Sequence, residues 1–169
     1  MKSVLFICTH NSARSQMAEA FVNHLCSDRY RAESAGTLAT QVNPYAIAVM
    51  EEIGISMEGH RSKSIEEFRD RTFDVVITVC DNAKEACPFF PGKRVIHKGF
   101  RDPSGFIGSD DERMKEFRKV RDEIRSWILN EFCKGNTEAT SPALTIKNEE
   151  PNRSKLRGIF IGSLTIAIE

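Results

Sequence analysis

Val4-Leu5-Phe6-Ile7-Cys8-Thr9-His10-Asn11-Ser12-Ala13-Arg14-Ser15 holds the reading from which the rest of the chain follows. Its apolar run, Ser3 to Ile7 with its flanks, is short and bounded by turn signals, which predicts a strand. A buried strand in a central place is expected there. After the polar loop, Met17, Ala18, Phe21, Val22 and Leu25 recur at helical spacing, so Ser15 to Leu25 is expected to be an amphipathic helix. Strand, loop and helix in direct succession are the opening of an α/β unit.

The pattern repeats along the chain. Arg31 to Ala35 is expected as a second strand ended by Gly36. Pro44 leads into a helix over Tyr45 to Ile53, with the proline tolerated in the first turn and Gly54 as the stop. Ser64 to Phe68 reads as one short helix. Phe73 to Val79 carries a nearly continuous β-branched run, Val75, Val76, Ile77 and Val79, suited to a buried parallel strand. Val95 and Ile96 suggest a short fourth strand. Asp111 to Phe132 reads as a long helix with Met114, Phe117, Val120, Ile124, Trp127 and Ile128 in one stripe. The alternation predicts a doubly wound α/β domain, with ligands beyond the carboxyl ends of its strands. Beyond Gly135 the composition becomes linker-like, then β-leaning. The expected division is a domain over 1–134 and an extension over 135–169. The extension reads as a packed hairpin, an exchanged strand, or a piece ordered in a homodimer, and its apolar edge is expected to be covered.

At 169 residues, the chain can bury a core without disulfide staples. Acidic and basic residues balance at 24 each, which argues against nucleic acid or a membrane surface as partners. The opening lacks a signal-peptide pattern and no apolar stretch reaches spanning length, so a cytoplasmic protein is expected. There, five cysteines should be free thiols, ligands or catalysts rather than permanent braces. Cys26 reads as a small buried hydrophobe. Cys133 has no neighbour that suggests chemistry.

Cys8 and Arg14 stand in a C-x5-R spacing across a strand-to-helix turn. Residues Thr9, His10, Asn11, Ser12, Ala13 and Arg14 are expected to curl backbone N–H groups around a tetrahedral oxyanion, aided by the positive end of the helix. Arg14 offers a planar fork to two oxygens. The same field favours the thiolate of Cys8, and Ser15 is placed to hydrogen-bond it. Asn11 is expected to brace the loop rather than touch the reacting atom. His10 either tunes the loop's field or faces solvent.

Cys80 ends the Phe73 strand and should emerge on the same sheet edge as Cys8. Cys87 follows seven residues later. If Asp81 to Ala86 is helical, that spacing separates the two by roughly 10.5 Å along the axis. A disulfide accepts only about 4.4–6.8 Å between α-carbons, so joining them requires the segment to unwind. A buried structural pair and a zinc site are the alternatives; the second needs about four ligands, and the histidines are scattered. Asp102-Pro103 reads as a surface turn taken alone, and as a proton donor beside such a nucleophile.

The loop CTHNSARS resembles that of the low-molecular-weight tyrosine phosphatases and their relatives, the thioredoxin-coupled arsenate reductases. Cys80 and Cys87 in TVCDNAKEACPFFPG, with Asp102 in GFRDPSG, resemble the reductases over about Met1 to Phe132. Phosphatases of this fold commonly carry a second cysteine just before the loop arginine, where this chain has Ala13. They also usually place their acid in a later Asp-Pro motif, whereas here it stands at residue 102.

The resemblance implies a three-layer domain with a four-stranded parallel sheet. It also implies reduction of arsenate by Cys8, Cys80 and Cys87 in relay, with Arg14 and Asp102 assisting and thioredoxin recycling the disulfide, without a cofactor. Phosphate and sulfate are expected to compete. The alternatives are hydrolysis of phosphotyrosine or small phosphomonoesters, and non-catalytic oxyanion binding. Related reductases hold potassium behind the loop, and the matching positions are Asn11, Glu19, Ser34 and Lys63. The lysine departs from the pattern, so weak or absent potassium dependence is expected.

Overall fold

The computed structural model describes residues 1–80 and 90–134. Its frame is a sheet of β1 (Lys2–Cys8), β2 (Tyr30–Gly36), β3 (Phe73–Cys80) and β4 (Gly92–Phe100), in the order β2-β1-β3-β4. All three pairings are parallel, with Cys8 opposite Gly36 and Ile7 opposite Thr78. Parallel strands in register bring the ends of β1 and β3 to one sheet edge, as expected for Cys8 and Cys80.

Strand alternation divides the core. Val4, Phe6, Cys8, Val75, Ile77 and Val79 face one side, where they pack with α1 (Arg14–Leu25), α2 (Pro44–Glu51) and α3 (Asp110–Ile128). Leu5, Ile7, Phe73 and Val76 face the other and meet Ile65 and Phe68 of a 3-10 turn, Ile65–Phe68. The continuous apolar strands are therefore covered on both faces, as their composition required.

Helix starts are written locally. Asn43 accepts from Tyr45 N–H with Pro44 in the first turn of α2, and Ser109 forms a capping box with Glu112 at α3. α1 differs: Ala13 is its N-cap and no side chain caps it.

Three expectations change. β4 is nine residues long, because its apolar pair sits among charged residues that the sequence pattern reads as loop. Charge on an outer strand protects its edge, and Lys93 and Arg94 pair with Asp74 and Glu131 at 2.7 and 2.8 Å. The last helix stops at Ile128 and continues as a π turn, Leu129–Cys133. The turn carries Phe132 into contact with Phe6, Tyr30 and Trp127. Most consequentially, Cys26 is not a lone buried hydrophobe: it is disulfide-bonded to Cys133, 107 positions away. No local spacing reveals that pairing, which arises only when the ends of α1 and the π turn converge. The expectations for Asp81 to Ala86, for Cys87 and for the extension over 135–169 lie outside the described residues. Among the described residues, no helix is long and apolar enough to cross a membrane.

Candidate active site

Cys8 ends β1 and is 3 % exposed. Asn11 N–H donates to its Sγ at 3.1 Å, and Ser15 Oγ lies 2.9 Å from the same sulfur. Asn11 Nδ2 donates to Ser15 Oγ at 2.8 Å, which occupies a lone pair and directs the hydroxyl hydrogen toward Sγ. Hydrogen bonds aimed at a sulfur favour its thiolate form. Asn11 thus does more than brace: its backbone reaches the Cys8 sulfur.

The loop's shape follows from where its carbonyls go. Those of Cys8, Thr9, His10 and Ser12 accept from the N–H groups of Thr37, Leu38, Thr40 and Asn43, at 3.3, 2.8, 3.2 and 2.9 Å. In a trans peptide the next N–H points the opposite way. Anchoring these carbonyls to the β2–α2 connection therefore turns the N–H groups of Thr9, His10, Asn11 and Ala13 away from it, a curl that can cradle an anion. The uncapped start of α1 adds its positive end.

Asn11 makes this curl at φ 49°, in the left-handed region that asparagine tolerates better than most residues. Its Oδ1 accepts from Lys63 N–H at 2.7 Å and Gln16 Nε2 at 2.8 Å. Gln16 was not anticipated from sequence; its only signal is an amide inside the apolar stripe of α1, where it is fully buried. Because Gln16 Nε2 donates, its Oε1 accepts from His60 Nδ1 at 2.9 Å. Burial lowers the His60 pKa below its ordinary value, with Lys63 adding to the effect and Glu19 opposing it. His60's contribution to stability is therefore present above about pH 6.5, the unfolded value, and is lost as pH falls toward the lowered folded value. Gln16→Leu should lower kcat/KM about tenfold by loosening Asn11, with melting temperature and kinetics measured together.

Arg14 is 9 % exposed. Its Nη1 donates to Phe100 O at 2.8 Å, and its Nη2 lies 3.3 Å from Asp102 Oδ2. Asp102 also accepts from Ser104 N–H at 2.9 Å and so caps the 3-10 turn Pro103–Gly105. The Asp-Pro pair is a turn and a neighbour of the arginine at once. Cys80, the last residue of β3, is paired in register with Phe100, whose carbonyl holds Arg14. A cavity of about 200 Å³ is lined by Cys8, Arg14 and Asp102 with His10, Thr40, Asn43 and others. Exposed His10 lies at its rim. No aromatic or large aliphatic side chain lines it among the described residues.

Behind the loop, Lys63 Nζ lies 3.2 Å from Glu19 Oε2, with both side chains nearly buried. Ser34 Oγ donates to the same carboxylate oxygen. A cation held by Asn11, Glu19 and Ser34 does not fit this arrangement, because the ammonium already supplies the positive charge. Among the described residues, no group of three or more His, Cys, Asp or Glu is arranged to hold a metal ion.

Residues 3–134 match the family described as low molecular weight phosphotyrosine protein phosphatase. An arsenate reductase of Halalkalibacterium halodurans is 42 % identical over 124 residues, spanning 73 % of this chain and 89 % of that protein. Among solved structures, an arsenate reductase in the phosphate binding state is similar with a TM-score of 0.66 and 34 % identity, covering 79 % of this chain and 98 % of the other. A thioredoxin-dependent arsenate reductase of Corynebacterium glutamicum gives 0.57 at 27 % identity, covering 77 % and 61 %. With the Cys8–Arg14 loop, the parallel sheet and these relatives in agreement, the chain belongs to the low-molecular-weight phosphotyrosine protein phosphatase family, in its arsenate reductase branch.

Proposed function

We propose that this protein reduces arsenate to arsenite by passing a disulfide through Cys8, Cys80 and Cys87, and that thioredoxin restores the thiols. The observation that carries the reading is the convergence of hydrogen bonds on Cys8 beside Arg14, at the sheet edge where β3 delivers Cys80.

The thiolate of Cys8 attacks arsenic while the loop N–H groups and Arg14 hold the remaining oxygens. Asp102 donates a proton so that the displaced oxygen leaves as water, giving a sulfur–arsenic(V) bond. The Cys80 thiolate then attacks Cys8 Sγ. The electron pair of the sulfur–arsenic bond passes to arsenic, arsenite departs, and a Cys8–Cys80 disulfide remains. Cys87 attacks Cys80, releasing Cys8 and leaving Cys80–Cys87 for a thioredoxin dithiol.

The small polar cavity supports an inorganic oxyanion over an aryl phosphate, since the described lining offers no ring or aliphatic wall to pack against one. Phosphate and sulfate share arsenate's tetrahedral shape and compete for the loop. A cytoplasmic setting suits a thioredoxin-recycled dithiol. The extension over 135–169 is assigned no step and offers a route to a homodimer.

Arsenate-dependent NADPH oxidation with thioredoxin and thioredoxin reductase tests the proposal. Turnover that stops on adding excess phosphate supports it. Absence of NADPH consumption, together with efficient hydrolysis of an aryl phosphate, returns the protein to the phosphatases.

The Lys63–Glu19 pair predicts equal activity, within about twofold, in potassium and sodium at equal ionic strength. Lys63→Ala should cost about 3 kcal/mol in denaturant unfolding, because it strands a buried carboxylate. Strong and specific activation of the wild type by potassium contradicts the assignment of the ammonium to the cation's place.

A further inference from the structure

We propose that Cys26 and Cys133 form a second redox site, separate from the Cys8 site, which takes an anionic low-molecular-weight disulfide as its reaction partner. Cys26 is the C-cap of α1 and is fully buried, whereas Cys133 closes the π turn and is partly exposed. Their α-carbons are 5.3 Å apart.

Position separates this pair from the reaction at Cys8. α1 begins at Arg14, beside the oxyanion loop, and its 12 residues carry Cys26 away from it. A helix of that length is about 18 Å long. Lys2 N–H donates to Arg29 O at 2.9 Å, which ties the turn after Cys26 to the start of β1. Cys8 stands at the other end of that strand. Neither sulfur of the pair can exchange with Cys8 unless the domain opens.

Unequal exposure sets the order of events. The Cys133 thiolate is the one a small disulfide meets; it attacks one sulfur of that disulfide, forms a mixed disulfide and releases one thiolate. Cys26 then attacks Cys133 Sγ and releases the second thiolate. Two protein thiols have become one disulfide and one small disulfide has become two thiols, so atoms and electrons balance. The neighbouring surface selects the reagent. Arg29 donates to the Cys133 carbonyl, and a recess of about 410 Å³ is lined by Lys2, Arg29 and Lys134 together with Asp28, Tyr30 and Glu131. Arg94 engages Glu131 at 2.8 Å and Arg29 engages Asp28 at 3.4 Å, so Lys2 and Lys134 leave the recess net positive, which favours an anion such as glutathione disulfide.

Closing the bond clamps the end of the α3 segment onto α1, with Phe132 held against Phe6, Tyr30 and Trp127. Because the linked positions are 107 apart, closure restricts most of the unfolded chain. The expected effect is a melting temperature about 10 °C higher in the oxidised form.

The full chain is first reduced, then oxidised with glutathione disulfide or with the cationic cystamine at low and high salt. It is then alkylated and peptide-mapped, and its melting temperature is recorded. Support is a Cys26–Cys133 linkage that forms several-fold faster with glutathione disulfide, an advantage that shrinks at high salt. Further support is a melting temperature that depends on reductant in wild type but not in Cys133→Ser. Cys26→Ala provides a second variant, and the comparison within wild type stands should either fail to fold.

The proposal is overturned if both residues still alkylate as thiols after oxidation, if the two reagents act equally fast, or if the bond opens and closes with each arsenate turnover. Separation from the reaction rests on the relay reading. A failed relay shows as no arsenate-dependent change at Cys80 and Cys87, and leaves the Cys26–Cys133 readout intact.

Discussion

Cys8→Ser should abolish arsenate-dependent NADPH oxidation, a loss of at least about 10⁴-fold, while phosphate still binds. The two halves have separate physical causes. A serine hydroxyl is far less ionised near neutral pH, and its oxygen cannot end in a disulfide with Cys80. The oxyanion loop does not depend on sulfur for its shape, since the β2–α2 connection anchors its carbonyls and Gln16 and Lys63 hold Asn11. Steady-state kinetics with the thioredoxin couple and calorimetric titration with phosphate separate the two. Turnover within tenfold of wild type would remove Cys8 from the chemistry. Cys80→Ser and Cys87→Ser belong in the same series: the first should stall with arsenate bound covalently, and the second with Cys8 linked to Cys80.

Gly36→Ala is expected to lower kcat/KM about 100-fold with the Cys8 side chain itself unchanged. A Cβ at this position falls 2.7 Å from Thr9 O, 2.8 Å from Asn11 N and 3.0 Å from Asn11 Cβ. The first two are backbone atoms that cannot swing aside. The glycine is also pinned, with its N–H donating to Lys63 O at 2.8 Å and its Cα in register with Cys8. The strain must therefore move the loop, and Asn11 N–H is the group that reaches Cys8 Sγ. Misplacing reacting groups by about 1 Å costs this order of rate. Kinetics and a melting curve distinguish a displaced loop from a destabilised fold. Wild-type kcat/KM would show that the loop absorbs the methyl group.

Much of this architecture is legible in the sequence. The four strands, the helices and the C-x5-R loop come from periodicity and from turn residues close at hand, because hydrogen bonding and alternation act over a few residues. β4 was underestimated because an outer strand guards itself with charge, which resembles loop composition. Gln16 was missed because a buried amide becomes visible only once Asn11, Arg61 and His60 surround it. The Cys26–Cys133 link was missed for a related reason. An expectation about redox compartment cannot override two sulfurs that the packing of α1 against the π turn brings together.

Cys8, the loop and Arg14 occupy one contiguous stretch, so the chemistry proposed for them follows from order along the chain. What folding added joins distant positions: Asp102 beside Arg14, Phe100 holding that arginine, and Cys133 on Cys26. Such contacts depend on strand register and helix packing, which sum weak preferences over the whole domain. Local spacing carries no record of them.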